Sequence, residues 1–464
     1  MPFSSLSMTS FLLTLGLFIM FGLLTLRFVK SGKDFSTGGR RAGWGIVAGT
    51  IMGTLVGGAS TIGTAQLAFQ YGFSAWWFTL GGGIACAVLG FVFLKRVYQT
   101  ESATIPQLLA RNYNRSTGVA TAVFSSLGIF LNIIAQGLAA FALLTSIIPL
   151  APVYAAIVCF FLVFMYLYWG GIWSTGYLGI AKIAVLLVVT LASGVLAFSM
   201  LGGSAGLESR FVSFPWLSLF GRGYNTDLAA GFSLVVGVLS TQTYFQAVFA
   251  AKSLKQARVG VFLSSLLIPL VGVGGILVGL FMRANFPNTA SDQVLPVFIM
   301  HFFPPILAGI LFAVLMITII GTWAGLTLGV TTMLTQDIYH RLINPFASDR
   351  MMLRLQRVLI LVLTAVSLFF VVGNLQSLIL GWSFLSMGLR GCTILPALIG
   401  ALFFPKKVSP IAGLMSAIVG PLTTIVWYYW NPMALDALYP GLFLGTMTLI
   451  VISFLTRKRL GKSF

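Results

Sequence analysis

"MGTLVGGASTIGTAQ", residues 52–66, sets four glycines among small and hydroxyl-bearing residues inside a long apolar stretch. Glycine in a helix interior costs about 1 kcal/mol relative to alanine. In lipid, every backbone group freed by a break must also find a new partner. A membrane segment written this way makes sense if its unwound carbonyls face something that needs oxygen ligands. The alternative is that the glycines let neighbouring helices approach, since small residues four apart are common in membrane packing.

Working outward from this stretch, 58% of the 464 residues are hydrophobic, only 8% are charged, and apolar runs longer than 18 residues recur from end to end. That excludes a soluble globular protein and gives an all-α integral membrane protein. Runs and breaks place about 13 transmembrane helices, near 5–27, 44–71, 75–95, 117–146, 150–169, 173–201, 228–250, 259–282, 303–333, 355–373, 376–404, 409–429 and 437–456. The first run has no basic residue before it and is followed by Arg27, Lys30 and Lys33, the reverse of a cleaved signal peptide. It reads as a retained span with its N-terminus outside.

The basic residues test this arrangement. With the N-terminus outside, the loops on the inner side hold 22 of the 27 Lys and Arg residues. Arg210, Arg222 and Arg283 fall in outer loops, and Lys182 and Arg390 within spans. This is the positive-inside asymmetry, which puts the C-terminus in the cytoplasm of a multi-pass plasma-membrane protein. The net charge of +19 then reports topology; no single basic module suggests nucleic acid as a partner.

The acidic residues, Asp34, Glu101, Glu208, Asp227, Asp292, Asp337, Asp349 and Asp436, lie in loops or at span ends. A proton pump built on mid-membrane carboxylates is therefore disfavoured. His301 and His340 are near span ends and far apart, without a ligand cluster, and Cys86, Cys159 and Cys392 fall in apolar runs as packing residues. There is no nucleotide loop and no Ser/His/Asp set, so an enzyme is excluded and no cofactor is expected beyond a possible sodium ion.

Five loop motifs, "DFSTGGRRAGWG" (34–45), "ATIPQLLARNYN" (103–114), "AAKSLKQARVG" (250–260), "LTQDIYHRLINP" (334–345) and "ALFFPKK" (401–407), occur in order between the expected spans. In this the chain resembles the sodium:solute symporter family over residues 34–407. The resemblance implies a leucine-transporter-like fold. Spans 2–6 (44–201) and 7–11 (228–404) would form two inverted five-helix repeats, with an extra span at 5–27 and two more at 409–456. Spans 2 and 7 would be broken near the midplane. The residues agree: span 2 breaks at "VGGAS", and span 7 carries Gly237 and the polar run "STQTYFQ" at 240–246. Paired interrupted helices in corresponding halves point to a transporter's binding site.

The resemblance further implies a sodium site at Gly53, Val56, Thr318, Gly321 and Thr322. Backbone carbonyls and hydroxyls suit such a cation. The chain departs from the family pattern twice. Gly321 stands where a hydroxyl is expected, and Gly179 stands where an aspartate near the ion exit is usual. One turn beyond Gly179 is Lys182, whose ammonium either replaces the cation, as in amino-acid transporters of the same fold that dispense with sodium, or snorkels to the cytoplasm.

Arg390 lies sixteen residues after Asn374 and fifteen before Pro405, at mid-membrane, where an arginine costs at least about 2.5 kcal/mol. Its guanidinium is satisfied either by carbonyls of the broken helices or by a substrate carboxylate, which a planar fork binds in bidentate fashion. The resulting expectation is a secondary transporter of a small anionic or zwitterionic solute, bound near Gly57, Gly58, Ser60, Thr241, Gln242 and Arg390. Coupling is to sodium, to protons or to neither. A channel or membrane sensor is the remoter alternative. The sequence leaves the solute and the oligomeric state open.

Overall fold

The computed structural model describes residues 3–24, 40–100, 104–148, 151–405, 407–431 and 433–460. Arg27, Lys30 and Lys33, and the beginning of the 34–45 motif, lie outside the described residues. So do Glu101 and the last residues of the tail. The chain is helical, and the β pairing among the described residues is one parallel bridge, Ala42 to Ala251.

The helices are α1 (Ser5–Leu24), α2 (Trp44–Leu55), α3 (Thr64–Tyr71), α4 (Trp77–Val88), α5 (Ile105–Asn112), α6 (Arg115–Ile147), α7 (Pro152–Leu201), α8 (Tyr224–Val238), α9 (Gln242–Ala250), α10 (Leu254–Asn285), α11 (Pro305–Met333), α12 (Asp349–Gly373), α13 (Ile379–Phe403), α14 (Pro410–Trp430) and α15 (Leu438–Leu460). Among the described residues nine helices are long and apolar enough to cross a membrane, ten when the bent pair α8–α9 counts as one crossing.

Helices that begin on the face carrying the basic loops are capped by polar side chains. Thr104 accepts from Gln107 N, Asn114 from Thr117 N, Ser253 from Gln256 N and Ser409 from Ala412 N. Each cap satisfies a backbone donor that the helix cannot, worth about 1 kcal/mol. Apolar length then carries each helix into the bilayer.

Both interruptions expected from the sequence are present. After α2 the backbone turns extended at Val56 (φ −87°, ψ 97°) and resumes through a π-helical turn, Ala59–Gly63, into α3. α8 ends at Val238, α9 begins at Gln242, and the pair bends by 42°.

One expected loop is not a loop. Residues 169–173 lie within α7, which is helical from Pro152 to Leu201. The stretch "WGGIW" contains no proline, and two glycines cost less than unsatisfied backbone groups would in an apolar medium.

α11 and α13 are almost wholly buried, whereas α12 and α15 present much of their surface outward. α13 packs along α6, α7 against α2, α10 and α11, and α1 against α11. The buried middle is thus made of the two broken segments with α6, α7, α11 and α13 around them.

Candidate functional site

The break after α2 turns the carbonyls of Gly53 and Val56 to the Thr322 hydroxyl of α11. The N–H that would have bonded Gly53 O belongs to Gly57, and it donates to Ser60 Oγ at 2.9 Å instead. Gly58 N donates to Gln136 Oε1 of α6 at 2.8 Å. A Cβ on Gly57 would sit 2.6 Å from both Gln136 Oε1 and Thr322 Oγ1, so only glycine lets the strand of the break pass there.

Lys182 of α7 reaches into this break. Its amine donates to Gly53 O at 2.5 Å, to Thr318 O at 3.2 Å and to Thr322 Oγ1 at 3.2 Å. The Thr322 hydroxyl in turn lies 3.0 Å from Gly53 O and 3.2 Å from Val56 O. Lys182 is 2% exposed. Three oxygens meet an ammonium's three donors. Gly53, Val56, Thr318 and Thr322 are therefore gathered in one place around a nitrogen, and the side chain does not snorkel. Gly321 precedes Thr322 on α11 and has no side-chain oxygen to bring.

Arg390 of α13 occupies the second interruption and is fully buried. Its Nη1 donates to Thr241 Oγ1 at 2.7 Å, and Thr241 donates to Gly237 O at 2.6 Å. The other contacts are with its own helix: Nε to Ser386 O at 3.0 Å, and Nη2 to Ser386 Oγ at 2.9 Å and Met387 Sδ at 3.1 Å. Tyr244 of α9 lies within electrostatic reach of the guanidinium. The hydroxyls of Ser240, Thr243, Tyr244 and Thr318 and the Trp323 indole N–H are buried without a protein partner. Such groups are costly unless water or a ligand meets them.

Not every residue named from sequence joins these two clusters. Gln242 turns its carbonyl oxygen to Ile105 N at 2.8 Å, at the start of α5. There the Thr104 hydroxyl also meets both oxygens of Asp337, at 3.1 and 3.0 Å. The backbone donors of Gly57 and Gly58 are already engaged, as is the Ser60 hydroxyl, which donates to Gly57 O at 2.9 Å.

Sequence reasoning missed Asn132, Gln136 and Ser383. The Ser383 hydroxyl donates to Asn132 Oδ1 at 3.0 Å, next to the Gln136 that holds Gly58. A polar pair four residues apart inside the apolar run 117–146 was the available signal, because such a pair shares one helix face.

On the face opposite the basic loops, a cavity of about 170 Å³ opens between α8, α13 and α14. Arg222 and Asp436 line it, and Arg222 Nε pairs with Asp227 Oδ1 at 2.7 Å. Its α13 wall is Gly381, Phe384, Leu385 and Gly388, on the side of that helix away from Ser383, Ser386 and Arg390.

The family model for the sodium:solute symporter family matches residues 35–420. The chain belongs to the sodium:solute symporter family. This symporter is similar to a sodium/glucose cotransporter of Vibrio parahaemolyticus, 21% identical with 92% of this chain and 84% of that protein covered. It is also similar to a high-affinity proline transporter of Bacillus subtilis, 24% identical with 95% and 96% covered. In structure it matches a Na+-coupled sialic acid symporter with a TM-score of 0.78 at 16% identity, covering 98% of each chain. A nucleobase-cation-symport-1 transporter matches with a TM-score of 0.55 at 12% identity, covering 93% of this chain and 95% of that one. These likenesses establish the fold, that of leucine-transporter-like proteins. The protein is an integral membrane secondary transporter of a small solute and not an enzyme.

Proposed function

We propose that this symporter moves a small carboxylate-bearing solute by alternating access, with the Lys182 ammonium standing where its relatives hold sodium. The observation that carries the reading is the set of three oxygens, from two other helices, that surrounds the Lys182 amine. Sodium does not fit beside that amine. Two unit charges 4 Å apart repel by about 4 kcal/mol at an effective dielectric of 20. A proton carried by Lys182, or no coupling ion at all, then replaces the sodium gradient.

The solute's carboxylate is assigned to Arg390, supported by Thr241 and by the unpartnered hydroxyl of Tyr244. The guanidinium's bonds within the protein account for four of its five N–H groups, which leaves an Nη1 donor for the solute. Residues 44–201 and 228–404 are read as the two inverted repeats, and the face with the basic loops as the cytoplasmic one. Reporter fusions after residues 115 and 257 should then read cytoplasmic, and one within 210–222 external. A cytoplasmic signal at 210–222 overturns that orientation.

The coupling reading is tested in two steps. A thermal-shift screen of the purified protein with proline, glucose, choline, sialic acid and short carboxylates finds a bound solute. Uptake of that solute in radiolabelled form into vesicles is then compared in sodium, potassium and choline buffers. Equal uptake in the three, abolished in Lys182→Ala, is expected. Steep saturable stimulation by sodium in the native protein, with Lys182→Ala little affected, overturns it.

Ordinary sodium coupling is the second reading, and family membership favours it. It requires the Lys182 side chain to swing away from Gly53 O, Thr318 O and the Thr322 hydroxyl before the ion enters.

A further inference from the structure

We infer that Gly179, by having no side chain, positions α7 so that the Lys182 amine reaches the oxygens of the broken segment. This rests on the reading of Lys182 given above and adds the residue that makes it possible. Gly179 is buried against α2, and a Cβ built on it would stand 2.2 Å from Gly49 O and 2.7 Å from Gly49 C. Both obstacles are backbone, so neither can rotate away. Lys182 is three residues further along α7, and the carbonyl it holds, that of Gly53, is four residues further along α2. The two contacts therefore lie one helical turn apart on the same pair of facing helix sides. The approach of backbone to backbone at 179 and 49 sets the distance across which the amine must reach.

The margin is small. Any side chain at 179 forces α7 outward by about 1 Å before an ordinary contact is restored. Two of the three amine contacts, to Thr318 O and Thr322 Oγ1, are already 3.2 Å long. A retreat of that size takes them out of hydrogen-bond reach, and a buried ammonium is left with one oxygen.

The test uses the purified full-length protein in choline chloride, with the thermal unfolding midpoint as readout and no solute added. Gly179→Ala should lower the midpoint by at least about 5 °C. Adding Lys182→Arg, whose side chain is one atom longer, should recover at least half of that loss. In the native Gly179 background Lys182→Arg should instead lower the midpoint, because the guanidinium is too long for the cage. Gly194→Ala is the control on the same helix, where a Cβ would stand 2.7 Å from Gly274 Cα of α10, far along α7 from the amine. It should also destabilise, and Lys182→Arg should not rescue it.

Rescue of both glycine variants alike, or of neither, overturns the inference. If Gly179→Ala does not accumulate in membranes, the same pair is scored on accumulation: recovery in Gly179→Ala/Lys182→Arg supports the inference and no recovery overturns it. Binding of ²²Na⁺ separates the two ideas. Sodium bound by the native protein overturns the reading of Lys182. No sodium bound, together with an unchanged midpoint in Gly179→Ala, overturns only the role of Gly179.

Discussion

At the first interruption three oxygens from α2 and α11 enclose the Lys182 amine, whereas at the second the Arg390 guanidinium takes three of its four contacts from its own helix. Both cations are buried at a broken segment. Among the described residues neither has a carboxylate within hydrogen-bond distance. The difference lies in what each has left to give. Lys182 has spent all three donors. Arg390 keeps a donor, and unpartnered hydroxyls stand on the segment beside it. The first break is sealed by the three bonds of the amine; the second is open, in that a guanidinium donor and several hydroxyls there are unspent.

The largest expected effect breaks the sealed side. Lys182→Met takes the amine away from Gly53 O, Thr318 O and the Thr322 hydroxyl, and each hydrogen bond lost from a charged group is worth about 1.5–3 kcal/mol. Loss of roughly 3 kcal/mol or more is expected in choline chloride, with part of it returned in sodium chloride as the ion enters the vacated oxygens. Thermal unfolding in the two salts measures it. A variant as stable as the native protein in choline would mean that the oxygens were never dependent on the amine.

On the open side, Arg390→Gln should weaken solute binding by about 100-fold, close to 2.7 kcal/mol, while the protein still inserts and purifies. Arg390→Lys should fall between, because a point charge replaces a planar fork. Titration of the solute found by thermal shift decides it. Unchanged affinity in folded Arg390→Gln would make both cations structural stitches and remove the contrast between the breaks.

A smaller effect is expected where the first break is held from α6. Gln136→Ala leaves Gly58 N without its 2.8 Å acceptor, costing about 1–3 kcal/mol of stability. Solute affinity should be lowered less than by Arg390→Gln, since Gln136 touches the sealed break and not the open one. An affinity loss as large as that of Arg390→Gln would place the solute at Gly57 and Gly58 after all.

Much of this was legible before any coordinates. The glycine cluster and the polar run in an otherwise apolar chain located both interruptions, because in lipid such residues are costly unless the backbone there is put to use. Lys182 and Arg390 stood out for the same reason, as charges where charge is expensive. What the sequence withheld was direction. Whether Lys182 turned inward or snorkelled depended on the approach of α7 to α2, which is set by the contact of Gly179 with Gly49. The turn of Gln242 toward Ile105 depended on a helix whose position no local pattern specifies. The loop expected at 169–173 follows from dividing a long apolar run into spans, and the two glycines there do not by themselves stop a helix in an apolar medium.

The smallest expected effect sharpens the comparison most finely. Met387 offers Arg390 its sulfur at 3.1 Å, and thioether sulfur is a weak acceptor. Met387→Leu conserves volume and should cost under about 1.5 kcal/mol of stability. It also frees an Nη2 donor beside the one already unspent, so the guanidinium gains capacity for a solute oxygen. Solute affinity should therefore stay within about threefold of the native value, and any change should be toward tighter binding. The opposite result, a tenfold or greater loss in a protein of native stability, would show that the sulfur fixes the orientation of the fork. Arg390 would then be as fully committed to its own protein as Lys182 is, and the solute's anion would have to be sought elsewhere.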